Sequence, residues 1–487
     1  MSTRSPIRGG LRLQGHKAEL AAAPIRVLPP PRTVLLALDQ RGSGAEAEPV
    51  VQPGQSVLRG TVVARRHGMA AELHASVSGT VRSIAHCSTM RGRSRCIVLD
   101  SDGRDECAPA PGHADWRGLA ARELVELIAA SGIAGLGGAA FPTALKLELA
   151  REAGVEWLLL NGAECEPWIC CDAALMRERA ADVLLGAQVM LAACGAGRCT
   201  VAIEDDKPEA IEALRSAIAA AGDERLSLHV LPAVFPVGAE GPLVTAVTGC
   251  EVPLDGWPPQ VGVVCQNVAT AAAVARAARS HEPLVSRVVT VTGSGVRAPA
   301  NVEARIGTPL ADLIEACGGC AAPPALLVAG GSLTGHRLDD DAVALTKGFN
   351  CVIVATTADL PPRRKEMPCI RCGDCASTCP AGLLPQQLHR LALAGDDDGL
   401  RRFGLDACIE CGCCDYVCPS AIPLTARFRA ARRQLDAARS ERRRALEARE
   451  RFERHQQRLA ERTEAERSAF DEARRRAADS GQREVDP

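Results

Sequence analysis

The sequence is 487 residues long, carries 57 basic and 59 acidic side chains and has a formal charge of −2 at neutral pH. A chain of this length predicts about three or four domains, and its near-neutral charge argues against nucleic acid or an acidic membrane surface as a partner. The 22 cysteines follow no recognisable secretion signal and no apolar run reaches the ~20 residues of a spanning helix, so we expect free thiols in a reducing cytoplasm and no transmembrane segment.

Residues 1–115 predict a small β domain. Between residues 50 and 84, short β-branched runs alternate with the turn sequences PGQ, RG and SG, which is typical of a sandwich of short strands. The pattern resembles the barrel-sandwich hybrid of biotinyl and lipoyl carriers. Those carriers attach their group to a lysine at a hairpin tip, and residues 76–79 contain none. We therefore interpret the domain as a structural module without a prosthetic arm.

Residues 116–285 predict a Rossmann-like α/β domain, because helix-like stretches such as KPEAIEALRSAIAAAG alternate with strand-like ones such as RCTVAIE. Near its start lies a glycine-rich stretch, GIAGLGGAAFPTALKL, at residues 132–147. Such a loop lets backbone N–H groups approach a phosphate or a flavin ring, and Lys146 can neutralise negative charge there. The stretch lacks the spacing and the downstream acid of a dinucleotide-binding fingerprint, so an ordinary turn is the alternative.

Polar residues follow the next predicted strand. The run WLLLN continues into NGAECEP at residues 161–167, which places Asn161, Glu164 and Glu166 at the carboxyl end of a strand. Open α/β sheets bind their ligands at that edge. Taken alone, the two glutamates also fit a solvated loop.

Residues 286–345 predict a third module. The run RVVTVTGSGVRAPANVEARIGTPLADLIEACGG indicates strand, turn, strand and helix. It resembles a β-grasp module of the soluble-ligand-binding type (SLBB), for which a spacer role without a ligand is the favoured interpretation.

Two cysteine runs of the same spacing lie within residues 346–425. Each has the pattern CxxCxxCxxxCP, in which a tight loop supplies three thiolates to one [4Fe–4S] cluster. The first run is Cys369, Cys372, Cys375 and Cys379, and the second is Cys408, Cys411, Cys414 and Cys418. A structural zinc site would show two separated pairs, so we predict two clusters in a ferredoxin-like helical domain. Cys413 breaks the spacing and is interpreted as a bystander thiol.

The fourth cysteine of each run is predicted to serve the other run's cluster, as in two-cluster ferredoxins. Cys418 would then complete the cluster held by the first three cysteines of the first run, and Cys379 the cluster held by those of the second. The alternative is that each run holds its own cluster.

Residues 426–487 form a tail rich in arginine, alanine and glutamate. Its large apolar residues, such as Phe428, Leu435 and Phe470, are isolated and often seven or eleven residues apart. This spacing favours a helix with a thin apolar stripe, and a partly disordered tail is the alternative.

The motifs together resemble the RnfC subunit of the Rnf electron-transport complexes and, more distantly, the NADH- and FMN-binding flavoprotein subunit of respiratory complex I. The resemblance rests on GGLRLQGHKAEL near the start, the glycine-rich stretch, NGAECEPWICCDAALMRE, FPVGAEGPLVTAVTG, GVVCQNVATA and the two cysteine runs, which occur in the family's order. It implies a multidomain α/β and α+β chain with a sandwich, an FMN- and NADH-binding domain, an SLBB module, a ferredoxin-like domain and a charged helical tail.

The resemblance also implies roles for individual residues. FMN-phosphate and dinucleotide contacts fall on Gly135, Gly137, Gly138 and Lys146, flavin-ring contacts on Asn161 and Glu164, and the nicotinamide side on Phe141 and Glu166. Glu240 falls beside flavin and NADH as a catalytic acid with Glu164, and Gln266, Asn267 and Thr270 fall on the segment that holds the FMN phosphate and ribityl chain.

Three positions depart from the family's pattern. Ala140 stands where a further glycine is usual, Ala163 where the complex I relative has an aspartate, and GGSLTG at residues 330–335 where RnfC proteins often show GGPMMG.

The predicted function is electron exchange between NADH and ferredoxin-type carriers. NADH gives up two electrons as a hydride whereas a [4Fe–4S] cluster carries one, so FMN fits between them. The chain would be a peripheral subunit at the cytoplasmic face of the inner membrane, held by integral-membrane and ferredoxin-like Rnf partners. The alternatives are a soluble NADH-dependent reductase of the cobalamin-reductase type, and an electron relay without nicotinamide chemistry.

Overall fold

A computed structural model describes residues 8–90, 92–109, 115–253, 256–362 and 364–482. The first seven residues of the predicted sandwich domain and the last five of the predicted tail lie outside the described residues. Within the described ranges, no helix is both long and apolar enough to cross a bilayer.

Two antiparallel sheets follow an N-terminal arm that contains helix α1 (Ala18–Ala22) and strand β1 (Arg26–Val27). The sandwich strands are β2 (Thr33–Ala37), β3 (Glu48–Pro49), β4 (Ser56–Val57), β5 (Val62–Arg65), β6 (Leu73–His74), β7 (Gly79–Thr89) and β8 (Gly92–Ser101). They pair in the orders β2-β8-β7-β4 and β3-β5-β6. Ser76, at the predicted hairpin tip, is fully buried and donates to the carbonyl oxygen of Ile306 at 2.5 Å. The tip is therefore packed against the rest of the chain, as a structural module requires.

A parallel sheet with helices on both faces forms the next domain. Its strands are β9 (Trp157–Asn161), β10 (Arg198–Glu204), β11 (Leu226–Leu231) and β12 (Val263–Asn267). Its helices are α2 (Ala121–Ala130), α3 (Thr143–Glu152), α4 (Cys171–Glu178), α5 (Ala180–Cys194), α6 (Pro208–Ala221), α7 (Glu240–Thr248) and α8 (Val268–Ser280), and 3₁₀ turns lie at Trp116–Gly118 and Pro258–Val261. Leu158, Leu159 and Leu160 of β9 are fully buried, and since neighbouring side chains of a strand point to opposite faces, both faces are covered.

The strand order of this sheet is β11-β10-β9-β12, and every pair is parallel. The order reverses between β9 and β12, which opens a crevice at their carboxyl ends. Asn161 and Asn267, the last residues of these two strands, are register partners there. This crevice positions the candidate site.

A six-stranded sheet of order β1-β14-β13-β17-β15-β16 forms the SLBB region. It contains β13 (Ser286–Thr292), β14 (Ala300–Arg305), β15 (Leu326–Ala329), β16 (His336–Leu338) and β17 (Cys351–Ala355), with helix α9 (Leu310–Ala316) beside them. Strands β1 and β17 lie outside residues 286–345, so the sheet takes in more of the chain than the predicted module.

Short helices carry the cysteine runs. They are α10 (Asp374–Ser377), α11 (Pro385–Ala394), α12 (Asp397–Arg402) and α13 (Cys413–Val417), with a 3₁₀ turn at Leu405–Ala407 and the 59-residue helix α14 (Leu424–Gln482) after them. The chain forms two compact units, one with the residues up to 387 and 406–425, the other with 388–405 and the residues from 426 onward. In the second unit Leu388, Leu400, Phe428 and Leu435 are buried, whereas α14 is exposed along its later turns. This agrees with the predicted charged helical tail.

Candidate functional site

A cavity of about 290 Å³ lies at the crevice between β9 and β12. This volume is near the lower end of the ~300–1,000 Å³ typical of small-molecule sites. Six of the predicted site residues line it: Gly137, Gly138, Asn161, Glu164, Glu166 and Asn267. Within the described residues, its wall does not include the other predicted cofactor and catalytic residues, which are Gly135, Phe141, Lys146, Gln266, Thr270 and Glu240.

The glycine-rich loop closes on itself at the mouth of this cavity. The Gly135 N–H donates to the Phe141 carbonyl oxygen at 2.8 Å, and the Ala140 N–H donates to the Gly135 carbonyl oxygen at 3.1 Å. Ala140 has a φ of +47°, a left-handed conformation that costs an alanine ~1–2 kcal/mol. The position therefore suits the glycine that is usual in the family. Gly137 approaches Asn267 closely, because a Cβ there would lie 3.2 Å from the Asn267 Cβ.

Three buried side chains hold the loop from outside. Thr270 is fully buried, and its hydroxyl oxygen accepts from the Leu136 N–H at 2.9 Å. Arg287 donates to the Leu136 carbonyl oxygen at 3.0 Å, and Lys347 donates to that of Gly132 at 2.7 Å. Burial lowers the pKa of Lys347 to about 7. Thr270 therefore acts on the loop rather than in the cavity, and the sequence pattern gives no indication of Arg287 or Lys347.

The two strand-end asparagines form part of the cavity wall. The Asn161 side chain donates to the Gly238 carbonyl oxygen at 2.9 Å, which ties β9 to the loop before α7. The Asn267 side chain caps α8 by accepting from the Ala269 N–H at 2.9 Å, and it donates to an Asp172 carboxylate oxygen at 2.6 Å. Gln266 is buried, and its amide nitrogen has no hydrogen-bond partner within the described part of the chain.

Asp172 lies in the cavity wall and is not among the predicted site residues, although it belongs to the string NGAECEPWICCD. Burial, followed by the neighbouring Glu164 carboxylate, raises the pKa of Asp172 to about 7. Glu164 itself accepts from the N–H groups of Asp172 and Ala173, each at 2.8 Å. The carboxylate thus satisfies the first turn of α4 and favourably opposes its dipole.

Glu166 binds the GGSLTG loop of the SLBB region. Its carboxylate accepts from the backbone N–H groups of Leu333 and Thr334, each at 3.0 Å, and from the Thr334 hydroxyl. A Cβ at Gly331 would collide with the carboxylate, so the close approach requires glycine there. This contact gives the departure at residues 330–335 a structural setting, because the loop lines the cavity and clamps Glu166.

Lys146 and Glu240 lie together outside this cavity. The Lys146 Nζ is 2.6 Å from a Glu240 carboxylate oxygen, and the pair connects α3 to the start of α7. Glu240 borders a second cavity of about 430 Å³, whose wall includes Cys408 and Ile409. Phe141 is half-buried, with the Arg41 guanidinium 5.1 Å from its ring centre.

The second cysteine run reaches the first cavity. Ile409 and Cys411 belong to its wall, together with Phe235. Phe235, Cys411 and Cys413 form one buried apolar cluster, against which the cavity residue Cys165 packs. The predicted bystander Cys413 is fully buried in this contact.

The thiols of the two runs are interleaved. Burial raises the pKa of Cys375, and the neighbouring thiols of Cys372, Cys369 and Cys418 raise it further. Burial also raises the pKa of Cys379, whose thiol neighbour is Cys411 of the second run. The fourth cysteine of each run therefore lies beside the other run, which is the arrangement that the crossed assignment needs. Eight thiols grouped in this way fit two [4Fe–4S] clusters.

The N-terminal arm connects this cysteine region to the cavity. The Gly10 N–H donates to the Thr378 carbonyl oxygen at 2.8 Å, and Leu11 and Phe235 exchange two backbone hydrogen bonds of 2.8 Å. Gly9 and Gly10 have φ values of +60° and +82°, and a Cβ on Gly10 would lie 2.7 Å from the Phe235 carbonyl oxygen. Both positions therefore require glycine.

Family profiles match four segments of the chain. They are the RnfC barrel sandwich hybrid domain at residues 5–104, the Nuo51 FMN-binding domain at 128–276, the SLBB domain at 288–335 and the 4Fe-4S dicluster domain at 361–441. With the sheets described above, these matches confirm the predicted fold class.

Several curated proteins, each named as the C subunit of an ion-translocating oxidoreductase complex, are similar to the whole chain. The protein of Pseudomonas aeruginosa is 43% identical over 96% of this chain and 61% of its own length, and that of Rhodobacter capsulatus is 41% identical over 89% and 84%. The chain thus spans about three fifths of the first relative and most of the second. Among solved structures, the NAD+-reducing [NiFe]-hydrogenase in the H2-reduced state aligns with a TM-score of 0.46 and 19% identity, over 67% of this chain and 62% of that chain.

Proposed function

The chain belongs to the RnfC family of ion-translocating oxidoreductase complexes, and on that premise we propose that it exchanges electrons between NADH and one-electron carriers through FMN and two [4Fe–4S] clusters. We further propose that it is a peripheral subunit on the cytoplasmic face of the membrane, joined to integral-membrane and ferredoxin-like partners.

One observation carries the proposal: a single cavity is bounded both by the glycine-rich loop and by the second cysteine run. Gly137, Gly138 and the strand-end asparagines form one side of it, and Ile409 and Cys411 form another. A flavin site and a cluster site thus share a wall within one unit of the chain. An electron relay without a flavin has no need for this shared wall.

The cavity residues fit FMN. Gly137 and Gly138 leave a cradle that side chains would fill, and Asn161 and Asn267 present polar groups at the strand ends. When bound, FMN takes two electrons from NADH as a hydride and gives them up singly to a cluster.

The chain contributes placement and exclusion of water. Thr270, Arg287 and Lys347 fix the glycine-rich loop, and Asn267 is fixed by its bonds to α8 and Asp172. Phe235, which is 3% exposed, fills the space between the cavity and Cys411. This apolar packing keeps solvent from the region between the flavin site and the nearer cluster site.

A substitution at Gly137 tests the proposal. Gly137→Val would drive a side chain into Asn267 and is expected to abolish FMN binding while iron per chain stays at the wild-type value. Gly118→Val is the matched control, because no atom lies within 4 Å of the Cβ position there.

Anaerobic spectra with NADH provide the readout. In the wild-type protein and in the control, flavin and cluster absorbance should bleach together, and in Gly137→Val neither should bleach. A wild-type protein that binds no FMN, or whose clusters stay oxidised after the flavin is reduced, would overturn the proposed function.

A further inference from the structure

The two cysteine runs are related by an approximate internal symmetry. Both read Cys-Ile-x-Cys-Gly at their start, which makes Ile370 of the first run the counterpart of Ile409 in the second. The backbone repeats as well: Arg371 and Glu410 have φ values of +58° and +55°, and the glycines two residues later have +91° and +78°. The two isoleucines therefore hold equivalent positions beside their own run.

Their surroundings differ. Ile409 borders both cavities of the flavin domain, and its neighbours Cys411 and Cys414 are buried. Ile370 is 68% exposed, and Cys369 and Cys372 on either side of it are exposed as well. One half of the symmetric module thus faces the flavin site, and the equivalent half faces outward.

We propose that the exposed face formed by Met367, Ile370 and Tyr416, next to Cys369 and Cys372, is the docking surface for a one-electron carrier protein. The proposal rests on the proposed function, and it assigns the order flavin site, second run, first run, carrier. Electron transfer weakens steeply with distance, so a carrier must bring its own redox centre against the cluster site nearest the surface. The first run is that site.

The composition of the face indicates the chemistry of its partner. Its centre contains Met367, 54% exposed, Ile370, and Tyr416, 62% exposed, which are residue types common in the cores of protein interfaces. Around them lie three exposed basic side chains, Arg364, Lys365 and Arg371, and two exposed acidic ones, Glu366 and Asp374. An apolar patch with an acidic rim, placed over a cluster or a flavin, complements this surface.

The electron balance requires repeated docking. Two reduced carriers, NAD+ and one proton give two oxidised carriers and NADH, so each NADH formed or consumed needs two separate one-electron visits. A surface that releases its partner readily suits this cycle better than a permanent interface.

The test compares two surface variants with a matched control in the full-length protein loaded with FMN and clusters. Ile370→Glu and Met367→Glu each place a charge in the centre of the face. Val27→Glu is the control, because Val27 is an apolar side chain that is 71% exposed and lies in strand β1 of the SLBB sheet. Iron and FMN per chain are measured first, and Met367→Glu decides the question should Ile370→Glu lose iron.

The probe is an acidic two-[4Fe–4S] ferredoxin. We expect each face variant to weaken its binding, measured by calorimetry, about tenfold and to slow NADH formation from the reduced ferredoxin to a similar extent, whereas Val27→Glu matches wild type. Reduced methyl viologen, which needs no docking surface, should drive NADH formation equally in all four proteins.

The outcomes separate the two proposals. Loss of viologen-driven NADH formation in the wild-type protein would refute the proposed function. Normal viologen-driven activity together with wild-type ferredoxin binding in both face variants would refute the docking surface alone.

Discussion

Glu240→Gln, made alone and together with Lys146→Met, distinguishes a functional acid from a structural ion pair. The two charged atoms lie 2.6 Å apart, with side chains that are 21% exposed for Lys146 and 44% for Glu240. An ion pair this exposed contributes about 1 kcal/mol or less to stability. A loss of that size changes an equilibrium by no more than about fivefold. A purely structural pair therefore predicts small effects, and a double variant no worse than the singles.

We expect a larger effect, because Glu240 borders the cavity next to Cys408 and matches the family's acidic position. Rapid-mixing measurements at saturating NADH should show flavin reduction slowed more than tenfold by Glu240→Gln, with or without Lys146, while FMN content is unchanged in the single variant. Glu126→Gln, which breaks an ion pair with Arg66 of 3.1 Å elsewhere, is the control. An unchanged reduction rate in Glu240→Gln would remove this residue from the site.

Three further predictions follow from the geometry. Cys379→Ala should damage the cluster held by the second run rather than the first, and electron paramagnetic resonance spectra that match those of Cys369→Ala would contradict the crossed assignment. Gly10→Ala should slow electron transfer from flavin to cluster without changing FMN content, measured by rapid mixing, because a Cβ there collides with the Phe235 carbonyl. Asp172 has a raised pKa of about 7, so it contributes stability that is present below about pH 4 and lost as the pH rises to about 7. Asp172→Asn should therefore melt at a higher temperature relative to wild type at pH 7.5 than at pH 5, and an equal difference at the two pH values would contradict this reasoning.

The parts of the fold that could be predicted are those whose signal is local in the sequence. Cysteine spacing within one loop, alternating helix and strand patterns, and a polar string directly after β9 each lie within a short segment. The crevice followed from the rule for parallel sheets, and the structure places Asn161 and Asn267 at its edge. The sequence pattern leaves strand β17 outside the SLBB module, because its position in the middle of the sheet depends on pairing with β13 and β15, which no local pattern indicates.

The supports of the site could not be predicted, because they join residues far apart in the chain. Thr270 reaches Leu136 across 134 residues, and Lys347 reaches Gly132 across 215. A buried lysine has no sequence signature of its own, since lysines are common and mostly exposed. The motif places Thr270 in the right region, but only the structure shows that its hydroxyl serves the backbone of the loop.

Glu166 illustrates the limit of assigning a role from position in a motif. The family resemblance places it on the nicotinamide side, and it does line the cavity. Yet its carboxylate already accepts from two backbone N–H groups and a hydroxyl of residues 333 and 334, which lie 167 residues or more away in the chain. Contact with NADH would require some of these hydrogen bonds to be exchanged, which would release the GGSLTG loop from the cavity wall. Nicotinamide binding by Glu166 therefore remains a prediction, and it carries a consequence that the motif alone does not: binding at Glu166 and movement of the SLBB loop must occur together.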